Sequence, residues 1–137
     1  MLVRSLFAVP AFLVVLGLSE VRAQEENPVI ALIKSKVKDP TKPFALSVEF
    51  KVKAGKEKEF ETAFKPCLEA TRKEPGCVAY YLNRDPDHPQ IYIMYEQFKS
   101  LDAIQEHVKA KHTAELFKQI TPLFDGEPKV KVLLVPE

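Results

Sequence analysis

Apolar and polar residues alternate along four short stretches of the chain, and period-two alternation predicts β-strands. The clearest is Phe44–Lys53, in which every second residue is apolar and the residues between are mostly polar or charged. The others are Cys77–Arg84, Gln90–Phe98 and Lys129–Val135. Gln90–Phe98 is largely apolar on both faces, so we expect it to be an inner strand that is covered on both sides.

Between the strands the apolar period changes to three or four residues, which predicts helices. We expect helices over Lys56–Glu74, from Ser100 to about Lys111, and over Thr113–Phe124. Ser100 is a residue type that caps a helix, and Glu74-Pro75-Gly76 is a typical helix stop. Residues 28–38 predict a further short helix that starts at Asn27-Pro28, although an edge strand would fit this segment equally.

The predicted order β-α-β-β-α-(α)-β indicates an α+β, ferredoxin-like fold with a split βαβ arrangement. Such a fold has a four-stranded antiparallel sheet with its helices on one face. The other face would carry Tyr81, Ile91, Ile93 and Tyr95, which are too apolar to leave in water. We therefore expect a homodimer, in which a second copy covers that face.

The first 23 residues have the pattern of a secretory signal peptide: Arg4, then the apolar run Leu6–Leu18, then the small-residue cleavage signature Val21-Arg22-Ala23. The apolar run has 13 residues, whereas a membrane span needs about 20. An uncleaved anchor is the alternative. We expect an exported protein, periplasmic or secreted after cleavage near Ala23, with no stable membrane insertion. Residues 24–43 would form an N-terminal extension and linker, and residues 44–137 the folded domain.

The mature chain would hold 18 basic and 18 acidic residues, so its net charge is zero and nothing indicates nucleic acid binding. Its two cysteines, Cys67 and Cys77, are predicted to lie too far apart to form a disulfide. We expect both to be free thiols.

Four short motifs give the sequence a resemblance to a known family. They are Glu74-Pro75-Gly76-Cys77, Tyr95-Glu96-x-Phe98-x-Ser100, His107-x4-His112 and Pro122-Leu123-Phe124-x-Gly126. Over about Phe44–Val135 the chain resembles the antibiotic biosynthesis monooxygenase (ABM) domain. The resemblance implies a dimeric ferredoxin-like α/β-barrel. It implies no single activity, because some members oxidise quinols or polycyclic phenols with O₂ and no cofactor, whereas other branches degrade heme or isomerise the phosphorylated autoinducer-2 signal.

Two branches of the family fit this chain less well. Phe98 stands where the heme-degrading branch carries a tryptophan, and Val48 stands near the position of its strand-one asparagine. The isomerase branch has a histidine in the first helix, where this chain has Leu68. These differences count against heme degradation and weaken the isomerase reading.

His107 and His112 are the candidate catalytic residues. His107 lies about 60° from Ile104 on a helical wheel, at the border of the buried stripe, where it could act as a base toward a phenol. The alternative is a structural histidine bonded to a backbone carbonyl. The two rings converge only if the helix breaks near residues 109–111, because five residues of continuous helix turn them about 140° apart.

Phe98, Tyr92, Glu96 and Asn83 are the candidate substrate-binding residues, and a buried Glu96 would need a partner or a proton. A metal site from His107, His112 and His88 is not expected, because the spacing is not i,i+4 and His88 belongs to a remote loop. No Gly-rich phosphate loop or CxxC motif is visible, so we expect no cofactor.

The favoured hypothesis is a cofactor-independent monooxygenase or oxidase that acts on a small quinol or phenolic substrate. The alternative is a non-catalytic ligand-binding or dimerisation module of the same fold, and an isomerase is a weaker third reading.

Overall fold

The computed structural model describes residues 26–136. The predicted signal peptide, residues 1–23, lies outside this range. The helices are α1 (Pro28–Lys36), α2 (Glu57–Thr71), α3 (Leu101–Lys109) and α4 (Lys111–Ile120), and a 3-10 turn, Thr121–Leu123, follows α4. The strands are β1 (Phe44–Lys51), β2 (Cys77–Arg84), β3 (Ile91–Phe98) and β4 (Lys129–Leu134). The predicted α+β, ferredoxin-like order is confirmed.

The four strands form one antiparallel sheet in the order β2-β3-β1-β4. The two inner strands are β1 and β3, so the prediction for Gln90–Phe98 is confirmed. Val48 lies opposite Met94 on one side and Val130 on the other, which lines up the apolar residues that face the helices. This face of the sheet and the helices together bury the core, which includes Phe44, Leu46, Phe60, Phe64, Phe98 and Ile120.

The segment before β1 is a helix, which resolves the choice between helix and edge strand. The Asn27 side chain accepts a hydrogen bond from the Val29 N–H at 2.9 Å, and Pro28 occupies the first turn. Ile30 and Ile33 are buried against the rest of the molecule, so α1 is part of the fold.

Strand β1 and helix α2 both end earlier than the sequence predicts. Strand β1 ends at Lys51, two residues early, because the returning chain bonds there: the Asp125 N–H donates to the Lys51 carbonyl and the Lys53 N–H to the Leu123 carbonyl. Helix α2 ends at Thr71, three residues early, and a turned segment leads from it into β2.

The break between α3 and α4 occurs at Ala110, whose backbone is extended (φ −63°, ψ 142°). This residue is at once the C-cap of α3 and the N-cap of α4. A break near this point is the condition that the sequence sets for the two histidine rings to converge.

The sheet face away from the helices carries Tyr81, which is 55% exposed, and the half-buried Ile91, Ile93 and Tyr95.

Cys67 and Cys77 are free thiols. Among residues 26–136 no helix is long and apolar enough to cross a membrane.

Candidate active site

A cavity of about 640 Å³ lies between the helix-facing side of the sheet and helices α1, α3 and α4. Its wall is mainly apolar, with Val48, Phe50, Met94 and Ile104 among the lining residues. The polar side chains on the wall include Glu96, His107 and Thr113. A volume of this size and an apolar wall with a few polar groups are typical of small-molecule sites. A more open depression beside α2, lined by Lys58 and Glu59 among others, has no histidine.

His107 is buried at the wall of this cavity, between two carboxyl groups. Its Nδ1 lies 3.0 and 3.2 Å from the two oxygens of Glu74, and its Nε2 lies 4.0 Å from Glu96 Oε2. The ring packs against Phe98 and Tyr80, with centroids 5.0 and 5.3 Å away. Burial lowers the pKa of His107, and the attraction of Glu74 opposes this only in part. The neutral ring is therefore the favoured form.

His112 reaches the same carboxylate from the start of α4. Its Nε2 lies 2.6 Å from Glu74 Oε1, and its ring centroid is 6.0 Å from that of His107. The extended backbone at Ala110 brings the two rings together, because it turns the chain between the helices. His112 is the more accessible of the two, with 26% of its side chain exposed against 4% for His107.

Glu74 joins the two histidines, although it is not among the site residues predicted from the sequence. It lies in the turn between α2 and β2, where the Cys77 N–H donates to its carbonyl at 3.1 Å. Gly76 packs directly on α3: a Cβ at this position would lie 2.4 Å from the Ala103 Cβ. This close approach sets the turn beside the helix that carries His107. The signal in the sequence was the Glu-Pro-Gly-Cys motif itself, which marks an acidic residue and a glycine in one tight turn.

The buried carboxyl group of Glu96 favours its protonated form, which answers the question of whether it needs a proton or an ionic partner. Burial, and then the negative charge of Glu74, raise the pKa of Glu96 to about 8. At neutral pH its carboxyl group is therefore mostly uncharged and can donate a hydrogen bond into the cavity. Burial likewise raises the pKa of Tyr80, so its phenol keeps its proton.

Residues 43–119 match the sequence profile of the antibiotic biosynthesis monooxygenase family, which is more than half of the chain. The chain belongs to this family. It is 24% identical to an uncharacterised protein of Synechocystis sp. over 74% of its own length and 69% of that protein. A conserved protein from Methanosarcina mazei superposes with a TM-score of 0.64 at 26% identity, over 68% of this chain and 92% of that one. A candidate antibiotic biosynthesis monooxygenase from Caulobacter crescentus superposes with a TM-score of 0.67 at 25% identity, over 72% and 94%.

Glu74, Glu96, His107 and His112 all lie inside the part of the chain that matches the ABM family, and α1 and β4 lie outside it. The cavity wall includes Val29 and Leu32 from α1 and Val130 from β4. These four residues, the polar cluster of the site, thus belong to the family domain. Part of the cavity wall, in contrast, comes from segments outside the matched residues.

The structure brings some of the predicted binding residues of this ABM protein to the cavity and leaves others away from it. Glu96 lines the cavity. Phe98 does not line it, which corrects the expectation for this residue, and packs instead against the His107 ring. Tyr92 and Asn83 do not line the cavity, which corrects the expectation for both. The Tyr92 hydroxyl donates to Glu61 Oε1 at 2.6 Å, and its ring packs on Phe60. Asn83 is exposed and donates to the carbonyls of Tyr81 and Ile93.

Thr113 is a cavity residue that sequence reasoning missed. It is buried, and its hydroxyl has no hydrogen-bond partner among the described residues. A hydroxyl in this position can donate a hydrogen bond to, or accept one from, a molecule in the cavity. As a helix-start residue it gave no sequence signal beyond a capping role.

The polar cluster also provides a set of metal-type donors. One ligand atom from each of Glu74, His107 and His112 lies within 4.8 Å of the other two. His88, the third histidine, instead lies in the β2–β3 loop, where its Nδ1 is 3.1 Å from Asp85 Oδ2.

Proposed function

We propose that this ABM protein is a cofactor-independent monooxygenase or oxidase that acts on a small quinol or phenolic substrate. The observation that carries the proposal is the position of His107. It is a buried, neutral imidazole at the wall of an apolar cavity, and a carboxylate holds one of its nitrogens while the other is on the Glu96 side.

The Glu74 carboxylate can only accept hydrogen bonds, so its contact with His107 places the ring proton on Nδ1. The Nε2 lone pair is then available to take a proton from a substrate hydroxyl, as in other histidines that a carboxylate orients. Because the ring is neutral at physiological pH, it is ready to act as a base.

A phenolate or quinol anion in this cavity would be electron-rich and poorly solvated, and it would react with O₂ directly. In the monooxygenase reaction the substrate loses two hydrogens and gains one oxygen atom, and the other oxygen atom leaves as water. In the oxidase reaction the quinol gives two electrons and two protons to O₂, which forms a quinone and hydrogen peroxide. The substrate supplies all the electrons in both reactions, so the protein has to bind, desolvate and deprotonate it.

Two polar groups on the wall suit the oxygen atoms of such a substrate. Protonated Glu96 can donate to an oxygen, and the free Thr113 hydroxyl can donate or accept. The rest of the wall is apolar and matches an aromatic ring. These features favour a substrate with a ring and one or two oxygens over a charged or phosphorylated one.

Oxygen uptake with a panel of quinols and polycyclic phenols tests the proposal. The wild type is expected to consume O₂ faster than the uncatalysed reaction, and His107→Gln to lose at least about 100-fold in rate, as for a general base. His88→Gln is the matched control, because it removes an exposed histidine far from the cavity. Circular dichroism checks that each variant is folded. Wild-type rates in a folded His107→Gln protein would contradict the role of His107.

The cavity itself supports a second candidate, a non-catalytic module that binds a small aromatic ligand. The Thr113 hydroxyl lines the cavity and can hydrogen-bond a small ligand whether or not that ligand reacts. In that case no substrate would raise O₂ uptake, and His107→Gln would still bind aromatic ligands. Thr113→Val would weaken that binding.

We further propose that the protein is an exported homodimer. Export is supported by the charged, apolar and small-residue segments of residues 1–23, and a mature N-terminus at Gln24 would be its direct test. Dimerisation is supported by the apolar residues on the open sheet face and by the frequency of dimers in the ABM family.

A further inference from the structure

We propose that Glu74, His107 and His112 form a binding site for a divalent first-row transition metal ion, and that a bound ion blocks His107 as a base. The first part of this inference is independent of the proposed function. The second part depends on it, because it concerns the base that the proposed reaction uses.

The donor set has the chemistry of a transition-metal site. Two imidazoles and one carboxylate are the protein ligands of many sites for Zn²⁺ and Fe²⁺, and such sites keep positions open for water.

The distances are already close to those that a metal requires. His107 Nδ1 and His112 Nε2 lie 3.0 and 2.6 Å from the same Glu74 oxygen, and all three donor atoms lie within 4.8 Å of one another. Around a tetrahedral ion with bonds of about 2.0–2.1 Å, neighbouring donors are roughly 3.3 Å apart. To bind an ion, the Glu74 carboxylate would rotate outward and the donor atoms would adjust to the tetrahedral spacing, and the ion would replace the two N–H hydrogen bonds.

One side of the proposed metal site, formed by Glu74 and His112, is open to solvent, whereas the other side, formed by His107, is buried. Glu74 and His112 have 19% and 26% of their side chains exposed, so an ion and its remaining water ligands can reach them from solvent. His107 is held from behind by Phe98 and Tyr80. Its second nitrogen lies 4.0 Å from Glu96 Oε2, beyond hydrogen-bond distance, and is therefore on the cavity side of the ring.

A metal on Nδ1 would change what His107 can do in the cavity. A neutral imidazole has one proton, and a metal bond at Nδ1 leaves that proton on Nε2. The nitrogen on the Glu96 side would then be a hydrogen-bond donor and would have no lone pair for a substrate proton. Metal binding and base catalysis are therefore mutually exclusive uses of one ring.

Titration with Co²⁺, followed by its visible absorption, tests the metal site without any activity. The protein is purified without a histidine tag and treated with a chelator first. We expect a saturable spectrum at one Co²⁺ per chain, which Zn²⁺ displaces. Glu74→Gln and His112→Ala should each lose it, whereas His88→Ala should keep it. His112 is partly exposed, so its variant keeps the test valid if Glu74→Gln does not fold.

No saturable spectrum in the wild type, or the same spectrum in folded Glu74→Gln and His112→Ala, would overturn the site.

Oxygen uptake then tests the second part of the proposal, the block of His107 by a bound ion. Zn²⁺ should inhibit the wild type and a chelator should reverse this, and any activity that remains in His112→Ala should not respond to Zn²⁺. Zn²⁺ binding without inhibition would contradict the block of His107. Absence of uptake with every substrate would count against the proposed function and leave the Co²⁺ result to decide the site.

Discussion

At the scale of single residues, the cavity combines two titratable groups whose environment shifts them in opposite directions. Burial lowers the pKa of His107 and raises that of Glu96, so both are mostly uncharged at neutral pH. An apolar wall tolerates a neutral base and a neutral acid far better than two charges. Paired shifts of this kind are what acid–base chemistry at neutral pH requires.

Because its folded-state pKa is about 8, above the ordinary 4.5, Glu96 makes stability depend on pH. The folded protein binds this proton more tightly than the unfolded chain does. The resulting contribution is fully present below about pH 4.5 and is lost as pH rises to about 8. We expect the wild type to lose on the order of 2–3 kcal/mol of unfolding free energy between pH 6 and pH 9. Glu96→Gln should lose much less.

Urea unfolding at the two pH values measures this difference. The groups that face Glu96, including Glu74, His107, Tyr80 and Cys67, are present in both proteins, so the difference between the two losses reports mainly on Glu96. An equal loss of stability in both proteins would show that Glu96 does not hold a raised pKa.

At the scale of elements, the site depends on the contact between the α2–β2 turn and α3. A Cβ on Gly76 would meet the Ala103 Cβ at 2.4 Å, so Gly76→Ala must push the turn away from the helix. We expect a loss of about 1–3 kcal/mol in unfolding free energy, as for other overpacked sites. Oxygen uptake should fall as well, because Glu74 moves away from His107.

Ala103→Gly in the same chain removes the atom that the new methyl group meets. Its own cost is about 1 kcal/mol, from the lower helix propensity of glycine. The double variant should therefore be more stable than the sum of the two single losses implies. Strict additivity in chemical denaturation would mean that the two residues are not in contact.

The sequence was a good guide to these elements and a poor guide to their contacts. Periodicity located the four strands and helices α2, α3 and α4 within a few residues, and the capping Ser100 marked the start of α3, whereas the segment of α1 fitted a helix and an edge strand equally. Ala110 gave no breaker signal, because alanine favours helices, so the break that joins the histidines could only be stated as a condition. Glu74 lies 33 and 38 residues from its partners, and only the packing of the turn on α3 brings them together. Tyr92 shared a strand face with Glu96, but it lies at the other end of β3, beside Glu61.

At the scale of the whole molecule, the helices and the cavity occupy one face of the sheet, and the open face carries no element of this chain among the described residues. Tyr81 lies on that open face beside Tyr95, its partner across β2 and β3. A second copy placed there would bury this aromatic pair together with Ile91 and Ile93. The interface would lie on the far side of the sheet from His107, so it would support the sheet without closing the cavity.

Tyr81→Glu tests this arrangement, because it would place a charge at the centre of the proposed interface without disturbing the core. We expect light scattering to give twice the chain mass for the wild type and a single chain mass for the variant, since burying an introduced charge in an apolar interface is unfavourable. Thr62→Glu adds the same charge on the exposed surface of α2 and should remain dimeric. A monomeric wild type would overturn the dimer. A Tyr81→Glu protein that stays dimeric would place the interface elsewhere and leave the open face to another partner.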